Sequence, residues 1–151
     1  MDWKRIIVAI DESPRSTRAV EYVGGMLGQR QDIFVCLLHI YPEPPPDWYR
    51  SGATLEDYRD ARVGEAADLF ARAKTILAGH GLAAAAVTER CLMAEGKTIS
   101  AAILDMQVRE HYGTIVVGKR GIPKAEEFLF GSISSALVHT GRDVAVWVVS
   151  G

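Results

Sequence analysis

Thr114–Ser135 reads TIVVGKRGIPKAEEFLFGSISS. Its opening residues, Thr114-Ile115-Val116-Val117, form a run of the kind found in strands buried on both faces. The run stops at Gly118, passes Gly121, crosses a polar segment and reaches Gly131-Ser132, where a helix-period pattern begins. Glycine lets a backbone turn sharply or approach a ligand closely. A Gly-Ser pair at a helix start leaves unpaired N–H groups pointing outward, which suits an anion. The stretch predicts a phosphate cradle at the carboxyl end of a parallel strand.

Outward from it, the chain alternates between buried-strand runs and helical patterns. Downstream, Ile133–His139 has helical spacing and Val144–Val149 is the last apolar strand. Upstream, Thr98–Glu110 is predicted helical, with Ile99, Ala102, Ile103 and Met106 turned inward. Leu82–Cys91 is ambiguous, because its alanine run favours helix while Gly79 and Gly81 have just ended one. Val87–Cys91 is predicted to pair at a sheet edge. Leu55–Ala78 is a long helix with Tyr58, Ala66, Leu69, Phe70, Ala73 and Leu77 on one side. Asp68 and Arg72 on it are spaced for a favourable i,i+4 pair.

Tyr41–Gly52, YPEPPPDWYRSG, cannot be a central strand or a helix interior. It is read as a solvated connection, or as a rim beside a site that uses Trp48 and Tyr49. Ile33–Ile40 is the second buried strand, and Arg5–Ile10 the first, ending at Asp11. Between them Ser13-Pro14 reads as N-cap and first helical residue. Ala19, Val20, Val23 and Leu27 follow at helical spacing, and Gly28 closes the helix.

The order is β-α-β-α-β-α-β-α-β. Such alternation predicts one α/β domain over residues 1–151, a parallel sheet with helices on both faces. Ligands on such sheets bind outside the carboxyl strand ends, where strand order reverses. Asp11, Ile40 and Gly118 sit at such ends, so the fold would bring them together.

The bulk properties narrow the function. The chain has 151 residues, 48% of them apolar, which fits one full core. Its formal charge of −2 argues against a nucleic-acid partner, which would need a basic face. No apolar run approaches the ~20 residues of a membrane span. The first apolar run ends in Asp11-Glu12 without a cleavage site, unlike a signal peptide. Cys36 and Cys91 lack zinc or CxxC spacing and read as small buried hydrophobes. These features predict a cytoplasmic protein in a reducing compartment.

The spacing Gly118-x2-Gly121-x9-Gly131-Ser132 resembles the nucleotide-binding motif of the universal stress protein family, G-x2-G-x9-G-[S/T]. From average composition, a chance match somewhere in such a chain is on the order of 1%, so the spacing carries information. The resemblance covers nearly the whole chain: IIVAIDES at the start, LLHI after it, then IVVG and VAVWVV. It implies a doubly wound domain, a five-stranded parallel sheet of order 3-2-1-4-5 flanked by four helices, that binds ATP with or without Mg2+. Carried over by position, Ala9 and Ile10 would wall the site, and Asp11 would meet the ribose or a phosphate-bound metal. Ile40 would touch adenine. Val117 and Gly118 would lie under the ribose and phosphates, and Gly121, Gly131, Ser132, Ile133 and Ser134 would hold the phosphate chain. The mostly apolar base pocket leaves AMP and cyclic nucleotides open beside ATP.

The resemblance has departures. Glu126-Glu127 would repel phosphates if turned inward; Lys119, Arg120 and Lys124 could offset them, or the glutamates are a solvated loop. Gly141-Arg142-Asp143 stands where many members have Cys-Pro.

Other constellations are weaker. Glu95-Gly96-Lys97-Thr98 looks like the end of a P-loop, but that motif needs a glycine where Cys91 stands. A polar turn with Thr98 near a helix cap is the simpler reading. The four histidines are scattered: His39 ends a strand, and His80, His111 and His139 sit near helix ends. No catalytic residues are assigned, since no Ser/His/Asp or Cys/His arrangement emerges and Asp11-Glu12 are sequence neighbours that rarely face one pocket. The expected function is a nucleotide-dependent stress sensor or regulator with at most slow ATP hydrolysis. The alternatives are a nucleotide-hydrolysing or adenylyl-transferring enzyme, and a dimerisation module without nucleotide. An edge strand at Val144–Val149, apolar and without proline or lysine, would invite a two-fold homodimer, with Trp147 in the contact.

Overall fold

Ile6, Ile7 and Val8 lie at the centre of the fold, each 2% exposed or less. Successive strand residues point to opposite faces. Ile6 and Val8 therefore join one apolar cluster, with Val23, Leu37, Phe70 and Leu77. Ile7 joins a second, with Cys36, Ile103, Met106, Ile115 and Leu137. A strand that must fill both clusters is apolar throughout, which is why IIVA does not alternate.

The structure is a computed structural model that describes residues 1–119 and 132–150. Gly121 and Gly131 lie outside the described residues, as do Arg120, Lys124 and Glu126-Glu127. The strands are β1 (Asp2–Ala9), β2 (Phe34–Tyr41), β3 (Val87–Met93), β4 (Tyr112–Gly118) and β5 (Ala145–Val149). The helices are α1 (Pro14–Leu27), α2 (Pro46–Arg50), α3 (Leu55–Gly79), α4 (Ile99–Arg109) and α5 (Ser132–Thr140), with a 3-10 turn at Ala84–Ala86. The sheet is parallel throughout, in the order β3-β2-β1-β4-β5. The expected five-stranded, doubly wound α/β fold is the one found. β1 pairs with β2 through Val8–Leu37 and with β4 through Val8–Val116, so the strand order reverses beside β1.

Helix starts follow the side chains that cap them. Ser13 accepts from the Ser16 N–H ahead of Pro14, and Thr98 accepts from the Ala101 N–H at 3.2 Å. Thr54 and Asp57 cap α3 reciprocally, at 2.8 and 3.1 Å. Each such cap contributes about 1 kcal/mol. The inward stripe of α3 is the expected one, Tyr58, Ala66, Leu69, Phe70, Ala73 and Leu77.

Several local expectations need correction. The proline-rich stretch contains the short helix α2, because Pro45 and Pro46 occupy its N-cap and first position, where a missing N–H costs nothing. β3 starts at Val87 but continues past Cys91 to Met93, and the alanines before it form the 3-10 turn rather than strand. Arg72 Nε donates to the Asp68 main-chain carbonyl at 3.4 Å instead of pairing with its carboxylate. Gly28 caps α1 in a right-handed conformation, φ −59°. Its requirement is spatial: a Cβ there would stand 2.4 Å from the His80 carbonyl oxygen. Among the described residues no helix is long and apolar enough to cross a membrane.

Candidate functional site

At the carboxyl ends of the strands, beside the reversal at β1, lies a cavity of about 740 Å³. The end of β1 supplies Ala9, Ile10 and Asp11; β2 supplies Ile40; β4 supplies Val117 and Gly118. From the first turn of α5 come Ile133 and Ser134. These expected site residues share one wall system although they span most of the chain. Ser132 begins α5 at the same end.

Strand alternation divides the cavity into two sides. Ile40, Ile103, Val117 and Ile133 belong to the cluster under α4 and α5, and that side is apolar. His39, between Leu38 and Ile40, points to the other side, where α3 brings Tyr58, Arg62 and Glu65. These polar residues are the ones that sequence reasoning missed. A residue count along α3 could have placed Tyr58, Arg62 and Glu65 on one helical face. Nothing local could have said that the face meets the end of β2.

The polar side is braced. Arg62 pairs with Glu65 at 2.7 Å and lies over the Tyr58 ring at 5.2 Å. The Tyr58 hydroxyl donates to the Pro42 carbonyl at 2.6 Å. Its ring meets Tyr41 edge-on at 5.8 Å and Trp48 at 5.2 Å. Trp48 also donates from Nε1 to the Thr54 carbonyl at 2.9 Å. The expectation that Trp48 and Tyr49 rim the site is thus revised: Tyr41 and Pro42 line it, Trp48 supports Tyr58, and Tyr49 is exposed.

Asp11 is built into the turn from β1 to α1. Its Oδ1 accepts from the Ser13 N–H at 2.8 Å, and its own N–H donates to Ser16 Oγ at 2.9 Å. Gly118 is a glycine because β4 passes the first turn of α1. A Cβ would stand 2.6 Å from the Arg15 carbonyl oxygen. This packing constraint exists without any ligand.

Three helices, α1, α4 and α5, begin at the cavity. None of the three carries an acidic residue in its first turn, whereas α2 has Asp47 there and α3 has Glu56 and Asp57. A helix start carries roughly half a positive charge, worth ~0.3–2 kcal/mol to a nearby anion. The cavity therefore has an anion-favouring rim on α4 and α5, while at α1 the Asp11 carboxylate already accepts from the Ser13 N–H.

The P-loop-like segment is accounted for by its partners. Gly96 turns with φ +62°, and its N–H donates to Glu43 Oε1 at 3.1 Å. The Lys97 ammonium is ion-paired with Asp105. Thr98 caps α4 and lines the cavity. Burial pushes the thiols of Cys36 and Cys91 up, so neither is poised as a nucleophile. Among the described residues no group of three or more His, Cys, Asp or Glu could hold a metal ion.

The family model described as "Universal stress protein family" matches residues 2–150. No curated protein matches the sequence. Solved structures do. One is universal stress protein UspA from Lactobacillus plantarum, 18% identical, covering 99% of this chain and 98% of that one with a TM-score of 0.71. A second is a universal stress protein in complex with cAMP, 18% identical over 96% and 95% of the chains, TM-score 0.70. A third is the Archaeoglobus fulgidus universal stress protein in complex with dAMP, 21% identical over 98% of each chain, TM-score 0.65. At such identities the likeness concerns the fold.

Proposed function

The chain belongs to the universal stress protein family, and on that premise we propose that it is an adenine-nucleotide-binding regulator whose ligand is ATP, with Mg2+ entering on the triphosphate. The observation that carries the proposal is the cavity at the β1 reversal, rimmed by the starts of α4 and α5, whose first turns carry no carboxylate. Its volume, about 740 Å³, suits a small-molecule ligand. The adenylate ligands of the cAMP and dAMP complexes point to the same ligand class.

In this reading Gly118, Gly121, Gly131, Ser132, Ile133 and Ser134 hold the phosphates, largely through main-chain N–H groups. Ala9, Ile10, Ile40 and Val117 wall the base and ribose. Asp11 meets the ribose or the Mg2+ that accompanies the phosphates. Charge-assisted N–H bonds at roughly 1.5–3 kcal/mol each reach micromolar affinity, about 8 kcal/mol, with a handful of contacts. Binding of this kind requires no catalytic group, so hydrolysis is slow or absent and the nucleotide acts as a signal. The protein works in the cytoplasm as a homodimer joined through the β5 edge, where Val144–Val149 pairs with its two-fold copy.

Equilibrium dialysis of purified protein against labelled ATP, with product analysis, tests this. Micromolar retention with turnover slower than minutes is expected, and Gly131→Val should abolish retention while the circular dichroism spectrum persists. Rapid product formation would favour an enzyme on the same fold. Absence of any adenine-nucleotide retention would overturn the proposal in favour of an interaction module.

A further inference from the structure

A separate cavity of about 410 Å³ lies at the opposite pole, at the amino ends of β1, β2 and β3. Arg5 and Phe34 line it. By strand alternation they share a face with Ile7 and Cys36, the face that α4 and α5 cover. The cover is incomplete. α4 ends at Arg109, and His111 turns the chain back into β4 with φ +58°. Phe34 is left 53% exposed, although Cys36, two residues on along the same face, is fully buried.

The charged residues of this cavity are balanced with one exception. Arg90 pairs with Glu110 at 3.1 Å, and Glu89 with Lys74 at 2.7 Å. Arg5 has no carboxylate partner among the described residues. Its guanidinium lies 4.6 Å over the Tyr112 ring, and Nη2 donates to the Glu110 main-chain carbonyl at 3.2 Å. Nε is sealed in the protein without a partner. Nη1 makes no hydrogen bond among the described residues and is not one of the sealed atoms. It is therefore the donor that Arg5 offers to the cavity.

The surroundings indicate what would meet it. The one uncompensated charge is that of Arg5, so a monoanion neutralises the cavity. A phosphate dianion would bring a second negative charge beside Glu89 and Glu110, which line the same space. A carboxylate is the monoanion whose geometry suits a guanidinium. Phe34 is the direct cross-strand neighbour of Arg5, about 5 Å away at the usual strand spacing. The exposed ring and the free donor thus lie within reach of one small molecule, with Ala86 extending the apolar wall.

We propose that this cavity binds a small aryl carboxylate: Arg5 holds the carboxylate through Nη1, and the Phe34 ring stacks on the aryl group. The site is independent of the nucleotide cavity, which lies beyond the other ends of the strands. A charge-assisted hydrogen bond and an aromatic contact act together here, so neither an uncharged ring nor a ringless carboxylate matches the site.

The test follows proton–nitrogen correlation spectra of the full chain at neutral pH during titration with benzoate. Benzamide, which keeps the ring without the charge, and acetate, which keeps the charge without the ring, serve as comparisons. The Arg5 Nε–H is sealed from solvent and reports on its own guanidinium. Benzoate is expected to shift that signal and the Phe34 and Thr88 amides saturably, with benzamide and acetate about tenfold weaker or more. Arg5→Met should weaken benzoate about tenfold, and Phe34→Ala should remove its advantage over acetate. Equal binding of benzamide or of acetate overturns the proposal, acetate by showing an adventitious ion only. So do shifts that never saturate, or that centre on Gly118 and Ser134 in the other cavity. Should Arg5→Met fail to fold, the wild-type comparison and Phe34→Ala, a change at an exposed ring, decide.

Discussion

Gly118 abuts the main chain of Arg15: a Cβ added at Gly118 would stand 2.6 Å from the Arg15 carbonyl oxygen. The end of β4 and the first turn of α1 meet backbone to backbone, and this contact sets the width of the cavity floor. Gly118→Ala is expected to destabilise the protein by about 1–3 kcal/mol through overpacking, measured as a lower urea midpoint without ligand. An unchanged midpoint would mean that the neighbouring chain yields, and that the glycine serves the ligand alone.

Tyr58 is the joint between α3 and the chain leaving β2. Tyr58→Phe removes the bond to the Pro42 carbonyl and strands that oxygen, for a loss of about 1 kcal/mol. Trp48 stacks edge-on against the same ring. Tyr58→Ala should therefore shift tryptophan emission to the red as well as lowering stability by about 3–5 kcal/mol. Identical emission from the two variants would contradict the described packing.

Lys97 separates this site from a P-loop. Because its ammonium is ion-paired with Asp105, Lys97→Ala should change ATP affinity by less than about twofold, a surface-scale effect. A loss of binding by a hundredfold would place the phosphates at α4 and refute the assignment to α5.

Tyr112 reports on the opposite end of the sheet. Burial, with the Cys36 thiol beside it, pushes its hydroxyl from 10.0 up to about 12. The neutral form is the one that the fold favours. Its contribution is fully present below pH 10, where the unfolded residue titrates, and is lost as pH rises toward about 12. Stability measured from pH 9 to 12 should fall in that window, and Tyr112→Phe should flatten the fall. An equally steep fall in the variant would assign it to other groups.

The β5 edge can be tested with proline. Lys119 N–H donates to the Val149 carbonyl at 2.7 Å, so the polar groups of Val149 face β4. Those of Val148 then face outward, since successive residues alternate. Val148→Pro removes an outward donor without breaking the pairing with β4. If β5 pairs with a second copy, light scattering should show the mass halved. An unchanged dimer would locate the interface elsewhere.

The alternation of strands and helices was legible in the residues alone, whereas the strand order 3-2-1-4-5 and the wall of the site came with the family resemblance. An unbroken IIVA followed by Asp11, and IVV followed by Gly118, specify strands buried on both faces whose ends converge. Serine, threonine and proline at the helix starts are local chemistry, and local chemistry survives in a one-dimensional reading. That is why Ser13-Pro14 and Thr98 were placed correctly, and why the helical stripe of α3 matched residue for residue.

The polar side of the cavity was decided by the tertiary structure. His39 looked like a strand-end histidine until Ile10, 29 positions away, accepted its Nδ1 proton. Arg62 and Glu65 carried no signal in the sequence, and it is the packing of α3 over the end of β2 that brings them to the cavity. Gly118 carried a ligand meaning in the sequence and acquired a packing one from Arg15. Each depends on two segments distant in the chain and adjacent in space. Periodicity and capping report what a residue does to its own backbone; only the packed sheet reports what it does to another's.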